Sequence, residues 1–182
     1  MIVDSHMLLK RLPTQPRKPV KMLLTLKIVS EPTSLRNAEI QKNIMNSHPA
    51  YNLLVLKRES VTEEEIVEEN KHNLEMGEQL FHIQKHGEII GILTYLPRNP
   101  HDLEPWIGLF VIHKGHEGNG LGSEVLRLFE EMLREQNVRR VRLGVQVGND
   151  KGASFWSKNG FAVIRSSIDE YGNQVDIYEK QL

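Results

Sequence analysis

The stretch from Trp106 to Val138, WIGLFVIHKGHEGNGLGSEVLRLFEEMLREQNV, leaves the chain few folds to choose from. It begins as an apolar run, Trp106 to Ile112, that reads as a strand and breaks at His113-Lys114-Gly115. A turn with glycines at 115, 118, 120 and 122 follows, and the chain leaves it as an amphipathic helix. Leu121, Val125, Leu126, Phe129, Met132 and Leu133 are spaced to share one face of that helix. A strand that feeds a helix through glycines leaves backbone N–H groups unpaired at the positive end of the helix, a ready site for an anion and above all for phosphate. Glycine permits positive φ and a close approach of backbone to ligand, which a side chain at 118, 120 or 122 would block. This physics predicts a phosphate-bearing ligand and leaves the ligand open; the order of strands and helices along the chain predicts a mixed α/β domain.

Composition narrows the setting. A chain of 182 residues with 39% hydrophobic content forms one domain with a sizeable core. There is no cysteine, so disulfides, thiolate nucleophiles and cysteine metal sites are excluded. A net charge of −1 gives no bulk attraction to nucleic acid or to an anionic membrane. No apolar run approaches the roughly 20 residues of a transmembrane helix, and a cytoplasmic protein is expected. His113 and His116 have a metal-like spacing but lack further local ligands, so no metal is expected. Residues 1–22 read differently, with three prolines, five Lys/Arg and one acid. They are expected to be a poorly structured leader, and Ser5-His6-Met7 resembles an expression-vector remnant. The domain is placed at 23–182.

In chain order, Leu23 to Val29 reads as a strand, followed by a helix from about Thr33 or Ser34 to Asn46, closed by His48-Pro49. Thr62 to Glu65 forms a capping box for a second helix, with Val61 placed to staple onto Ile66. Its acids at 63, 64, 65, 68 and 69 read either as a solvated face or as an acidic wall for a cationic amine. Leu80–Lys85 and Glu88–Leu96 form a hairpin around His86-Gly87, and 97–105 is a loop. After the long helix, Arg139–Val147 alternates as a strand, and Asn149 or Asp150 caps a helix that stops at Asn159-Gly160. Phe161–Ser167 and Val175–Glu179 pair across a turn containing Gly172-Asn173.

Three readings compete for the glycine turn. A P-loop needs Lys-Ser/Thr directly after its last glycine, and here Ser123-Glu124 follows Gly122. A dinucleotide fold wants an acid about 20 residues on, and Val138 to Gly144 carries none. The third reading is the pyrophosphate loop of the GNAT acetyltransferase superfamily. Glu117-Gly118-Asn119-Gly120-Leu121-Gly122 resembles its Arg/Gln-x-x-Gly-x-Gly/Ala pattern. A second stretch, Asn149 to Phe161 (NDKGASFWSKNGF), resembles the family's Asn-then-helix segment, which ends in a Tyr/Phe-x-x-x-Gly-Phe pattern. The two motifs stand in the family order about 30 residues apart, and the resemblance covers residues 23–182.

That resemblance implies the GNAT fold: a mixed, mostly antiparallel sheet with a splayed central strand pair, flanked by about four helices. It implies acetyl-CoA as acyl donor and a small-molecule or peptide amine as acceptor, in a monomer or homodimer. Backbone groups of Leu109, Phe110 and Val111 would hold the pantetheine arm, one N–H polarising the thioester carbonyl. Glu117, Gly118, Asn119, Gly120, Leu121, Gly122 and Ser123 would hold the pyrophosphate. Glu117 departs from the family's Arg or Gln, and Lys114, His116 and Lys151 are close enough in sequence to balance it. Asn149 matches the residue that bonds the cofactor arm, and as a helix cap it can serve both purposes. Trp156 stands where many members carry a tyrosine that protonates the leaving thiolate. Its indole can pack on the cofactor or donate near the sulfur, but cannot act as a general acid. The amine needs a base, for which Glu104 is first choice among Asp102, His101 and His113. The competing reading is an acyl-CoA-binding sensor or interaction module with little catalysis. A nucleotide-binding regulator is a third.

Overall fold

The computed structural model describes residues 23–169 and 172–182. The leader expected at 1–22 lies outside the described residues. Among the described residues, seven strands form one sheet in the order β1-β2-β3-β4-β5-β7-β6. In chain order they are β1 (Leu24–Ile28), β2 (Gln79–Lys85), β3 (Glu88–Leu96), β4 (Trp106–Ile112), β5 (Arg140–Gln146), β6 (Ala162–Ile168) and β7 (Gln174–Gln181). Every neighbouring pair is antiparallel except β4 and β5.

Among the described residues, five helices accompany the sheet: α1 (Leu35–Asn46), α2 (Pro49–Leu56), α3 (Glu63–Glu75), α4 (Leu121–Glu135) and α5 (Asp150–Lys158). The count of about four is corrected by α2. Proline before a helical run reads as a stop for α1, yet Pro49 occupies the first turn of α2, where its missing N–H has no intrahelical partner to lose. The capping box at Thr62 and Glu65 is present, and Val61 and Ile66 are buried in one cluster as the staple requires. The acids of α3 are largely answered by cations: Glu63 pairs with Lys42, Glu65 with Arg58 and Glu68 with Lys71. For those three, the solvated-face reading holds.

The main core lies between the sheet and α4, where Val125, Leu126, Phe129 and Leu133 are almost fully buried. Phe129 meets Phe81 and Tyr95 edge to face. A second cluster, with Ile44, Leu80, Ile92 and Val111, joins α1 to the opposite face of the sheet. The two layers pin β4 from both sides, so its backbone is a rigid support. No helix among the described residues is long and apolar enough to cross a membrane.

Candidate active site

The parallel pair β4 and β5 touches at one ladder position, Trp106 opposite Arg142, and the Arg142 N–H donates to the Pro105 carbonyl at 2.9 Å. That end is fastened by charge. Asp102 accepts from the Trp106 indole at 3.0 and 3.1 Å and from Arg142 at 3.0 Å, and Arg142 also donates to Glu179 at 2.8 Å. Burial works against ionisation of Asp102, but bonds from the Glu104 amide, Arg142 and Trp106 outweigh it and hold the carboxyl below its ordinary 3.8. Beyond this clamp the strands part, and the gap opens as a cleft of about 660 Å³. The cleft is lined by β4, β5, the glycine turn and one face of α5.

Strand β4 carries an irregularity opposite Leu93 to Tyr95, where its register with β3 shifts. The Leu109 N–H donates to the Thr94 hydroxyl at 2.8 Å, and the His113 N–H donates to the Ile90 carbonyl at 2.8 Å. Residues 109 to 113 therefore turn their odd-numbered N–H groups toward β3. Alternation turns Phe110 and Ile112 the other way, toward the gap. The Ile112 carbonyl there accepts from His48 Nε2 at 2.8 Å, which places that ring's proton on Nε2. Of the three backbone candidates, Phe110 is the one whose N–H and carbonyl face the cleft, while Leu109 has spent its N–H on Thr94.

The glycine turn is built as the sequence suggests. Gly118, Asn119 and Gly120 have φ of +101°, +51° and +75°, three consecutive left-handed residues that gather their N–H groups into a concave nest. Gly120 is the N-cap of α4, so it offers no side-chain cap to the first turn. Among the described residues nothing accepts from the N–H groups of Gly118, Asn119, Gly120, Gly122 or Ser123. A Cβ on Gly122 would lie 3.1 Å from the Phe155 ring, so glycine also lets α4 start hard against α5. Leu121 is buried in the main core and anchors the turn. Glu117 bonds to Lys151 at 2.6 Å, and His48 Nε2 lies 3.9 Å from the same carboxylate oxygen. Of the three cations expected to balance Glu117, Lys151 is the one that does; His116 instead faces Glu88 at 3.6 Å.

Asn149 caps α5, its Oδ1 accepting from the Gly152 N–H at 3.0 Å. Its amide nitrogen leans over position 152, where a Cβ would lie 2.6 Å away. That amide keeps its donor atoms while the oxygen serves as cap, so the two roles are compatible. Trp156 is 9% exposed and stacks among Phe110, Phe155 and Phe161, with ring centroids 5.8, 5.0 and 5.0 Å away. It lines the cleft as a hydrophobic wall.

Glu104 is placed differently. Both its oxygens accept from Arg140, at 2.5 and 2.8 Å, at the closed end of the β4–β5 seam. It is not among the residues that line the cleft. Asp102 belongs to the clamp, His101 is exposed on the same loop, and His113 Nδ1 accepts from the Gly115 N–H. Sequence reasoning misses four residues at this site. His48 and Tyr51 reach the cleft from α2 and the turn before it, and Thr94 and Glu78 flank β4 at Gly108. Burial, with a contribution from the Glu69 charge, pushes the Tyr51 hydroxyl up to about 12.

Residues 44–161 match the model of the acetyltransferase (GNAT) family. An acetyltransferase from Thermus thermophilus superposes with a TM-score of 0.70 at 26% identity, over 87% of this chain and 97% of that one. The N-terminal-serine acetyltransferase of ribosomal protein L7/L12 from Salmonella typhimurium follows at 0.67 and 16% identity, covering 87% and 95%. A spermidine N-acetyltransferase chimera from Vibrio cholerae and hSSAT gives 0.66 at 19% identity, over 87% and 95%. An L7/L12 acetyltransferase of the same fold is known in complex with coenzyme A (TM-score 0.67, 16% identity, covering 90% and 97%). No curated protein matches the sequence.

Proposed function

Since the chain belongs to the acetyltransferase (GNAT) family, we propose that it moves an acetyl group from acetyl-CoA to a primary amine by direct attack within a ternary complex. The single observation that carries this reading is the left-handed nest at 118–120, opening into a cleft whose far wall is Phe110 backbone. A diphosphate fits the nest because its N–H groups converge at the positive end of α4. An acyl-pantetheine arm fits the gap because β4 presents backbone there that β5, paired with it only at Trp106 and Arg142, leaves unbonded. Gly118 to Ser123 would hold the diphosphate, and Asn149 and Phe110 would hold the arm. The Phe110 N–H is the donor best set to stabilise charge on the thioester oxygen. Trp156 would pack on the arm near the sulfur. The acceptors in the names of two structural neighbours, spermidine and a ribosomal protein N-terminus, are both amines and supply the first probes.

A binding module without turnover is the competing reading, favoured by Trp156, which has no proton to give the leaving sulfur. One experiment separates the two. The purified chain is titrated with acetyl-CoA, CoA, ATP and NAD by thermal shift, then given acetyl-CoA and a panel of amines with thiol detection. A shift with the CoA species alone, followed by thiol release, supports the transferase. A shift without thiol supports the module, and a shift with ATP or NAD alone defeats both.

A further inference from the structure

Position 108, in the middle of β4, is a glycine for a reason found outside the strand. A Cβ there would lie 2.3 Å from Glu78 Oε1 and 2.7 Å from Thr94 Oγ1. The missing side chain lets a carboxylate rest directly on the backbone of the strand that walls the cleft. Thr94 donates its hydroxyl to Glu78 and accepts the Leu109 N–H at 2.8 Å, so one residue fixes both the carboxylate and the irregular stretch of β4. The Glu78 backbone is itself held at the end of α3, its N–H donating to the Asn73 carbonyl at 2.9 Å. The side chain is half-buried; it does not itself line the cleft but rests on Gly108, which does. No cation pairs with it among the described residues.

We propose that Glu78 is the catalytic base of the transfer and that the acceptor is an alkylammonium group delivered to it at Gly108. The proposal rests on the transferase reading above. The other groups bearing on this spot fit a cationic acceptor. From α3, Glu69 adds a second negative charge that bears on both Glu78 and Tyr51, and from α2 the Tyr51 hydroxyl lines the cleft. From β3 the neutral Thr94 bonds to the carboxylate. Burial pushes the Glu78 carboxyl above its ordinary 4.5, the Thr94 bond opposes this, and the Glu69 charge adds to it, moving the group toward the range useful for proton transfer.

In the transfer, the alkylammonium gives one proton to the Glu78 carboxylate, and the neutral amine attacks the thioester carbonyl carbon. A C–N bond forms, the C–S bond breaks, and sulfur leaves with the electron pair. The second proton lost by nitrogen ends on sulfur through solvent, giving amide and free thiol, and Glu78 returns its proton to water.

The test uses the full chain with acetyl-CoA and a panel of spermidine, a lysine-containing peptide and the arylamine aniline. Glu78→Gln is expected to lower kcat/KM about 10²- to 10⁴-fold and to remove the acid limb of the pH profile. Acetyl-CoA affinity should stay within about twofold, since the diphosphate and arm contacts are elsewhere. Glu78→Asp should recover part of the rate. The alkylamines should be preferred over aniline, which reaches the site uncharged. Glu78→Gln with wild-type rate and an intact acid limb overturns the proposal while leaving the transferase standing. A wild-type protein that releases no thiol with any amine overturns the transferase reading and this assignment with it. A general loss of acetyl-CoA binding in Glu78→Gln assigns the residue to the fold instead and also overturns the proposal.

Discussion

Glu117 and Lys151 meet at 2.6 Å, joining the glycine turn to the first turn of α5 at the rim of the cleft. The pair sits where a diphosphate would arrive, so each partner bears on the same ligand with opposite sign. Lys151 is 76% exposed, which limits the pair to about 0.2–1 kcal/mol. Glu117→Gln is expected to tighten CoA binding by a factor of about two to five, and Lys151→Ala to weaken it by a similar factor. Isothermal titration at low and high salt checks this, because both effects should shrink as salt screens them. Unchanged affinity in both variants would mean that the carboxylate points away from the ligand.

The nest makes a sharper prediction. Gly120 has φ of +75° and no heavy atom within 4 Å of a built Cβ, so a substitution there meets backbone strain rather than a clash. Gly120→Glu adds that strain and puts a second carboxylate against the anion site. Acetyl-CoA affinity should fall at least about tenfold, the equivalent of 1.4 kcal/mol, while far-UV circular dichroism stays that of the parent. Wild-type affinity in this variant would move the diphosphate elsewhere.

Trp156 separates packing from proton transfer. Its ring is held by three phenylalanines, and its indole has no proton to release at neutral pH. Trp156→Phe should keep kcat within about threefold, whereas Trp156→Ala should cost about 3–5 kcal/mol of stability through the cavity it leaves. Thiol release and chemical denaturation measure the two effects separately. A large kcat loss in Trp156→Phe would assign the indole N–H a role at the sulfur.

Much of this is legible from residue order, for identifiable reasons. The strand, turn and α4 announce themselves because period, glycine spacing and capping agree over one continuous stretch. Asn149 can be read both as cap and as ligand because both roles are local. Helix α2 is hidden because His48-Pro49 signals a stop and a start with the same residues. The proposed base is hidden for a different reason. Glu104 is adjacent to β4 in sequence, but Arg140 captures it at the closed end, while Glu78 reaches β4 from the end of α3 by a contact only the tertiary fold creates. Gly108 is the one local trace of that contact, a glycine inside a strand that marks close approach by another group.

His82 predicts an acid sensitivity unconnected with the cleft. Its Nε2 lies 2.9 Å from Asn37 Oδ1, and burial, with the Lys27 charge, depresses its affinity for protons below the ordinary 6.5. The folded protein therefore binds fewer protons here than the unfolded chain as pH falls through 6.5 toward the lowered folded value. Stability should decline across that window and level off below it. Denaturant midpoints between pH 7.5 and 5 should show the slope, and His82→Gln should flatten it.

Arg142 closes the seam, and its removal should be felt at both ends of the cleft. Its guanidinium holds Asp102 and Glu179, about 16% and 15% exposed, so deletion removes the cation that these two largely buried carboxylates share. Breaking a fully buried pair costs about 3–5 kcal/mol, and partial solvation here lowers the expectation for Arg142→Ala to about 2 kcal/mol. The pH dependence follows from Asp102, whose folded carboxyl lies below its ordinary 3.8. Its contribution is present above 3.8 and is lost as pH falls through the lowered value, so the penalty of Arg142→Ala should shrink in acid. Because Trp106 and Arg142 are the one ladder pair between β4 and β5, loosening them should also widen the gap that Phe110 faces. Arg142→Ala should therefore weaken acetyl-CoA binding at pH 7 although residue 142 touches none of the cleft-lining groups proposed to hold the ligand. Denaturation at pH 7 and pH 3 with parallel titration of acetyl-CoA tests both parts. A variant that loses stability but binds with wild-type affinity would show that the splay is held by the core layers alone.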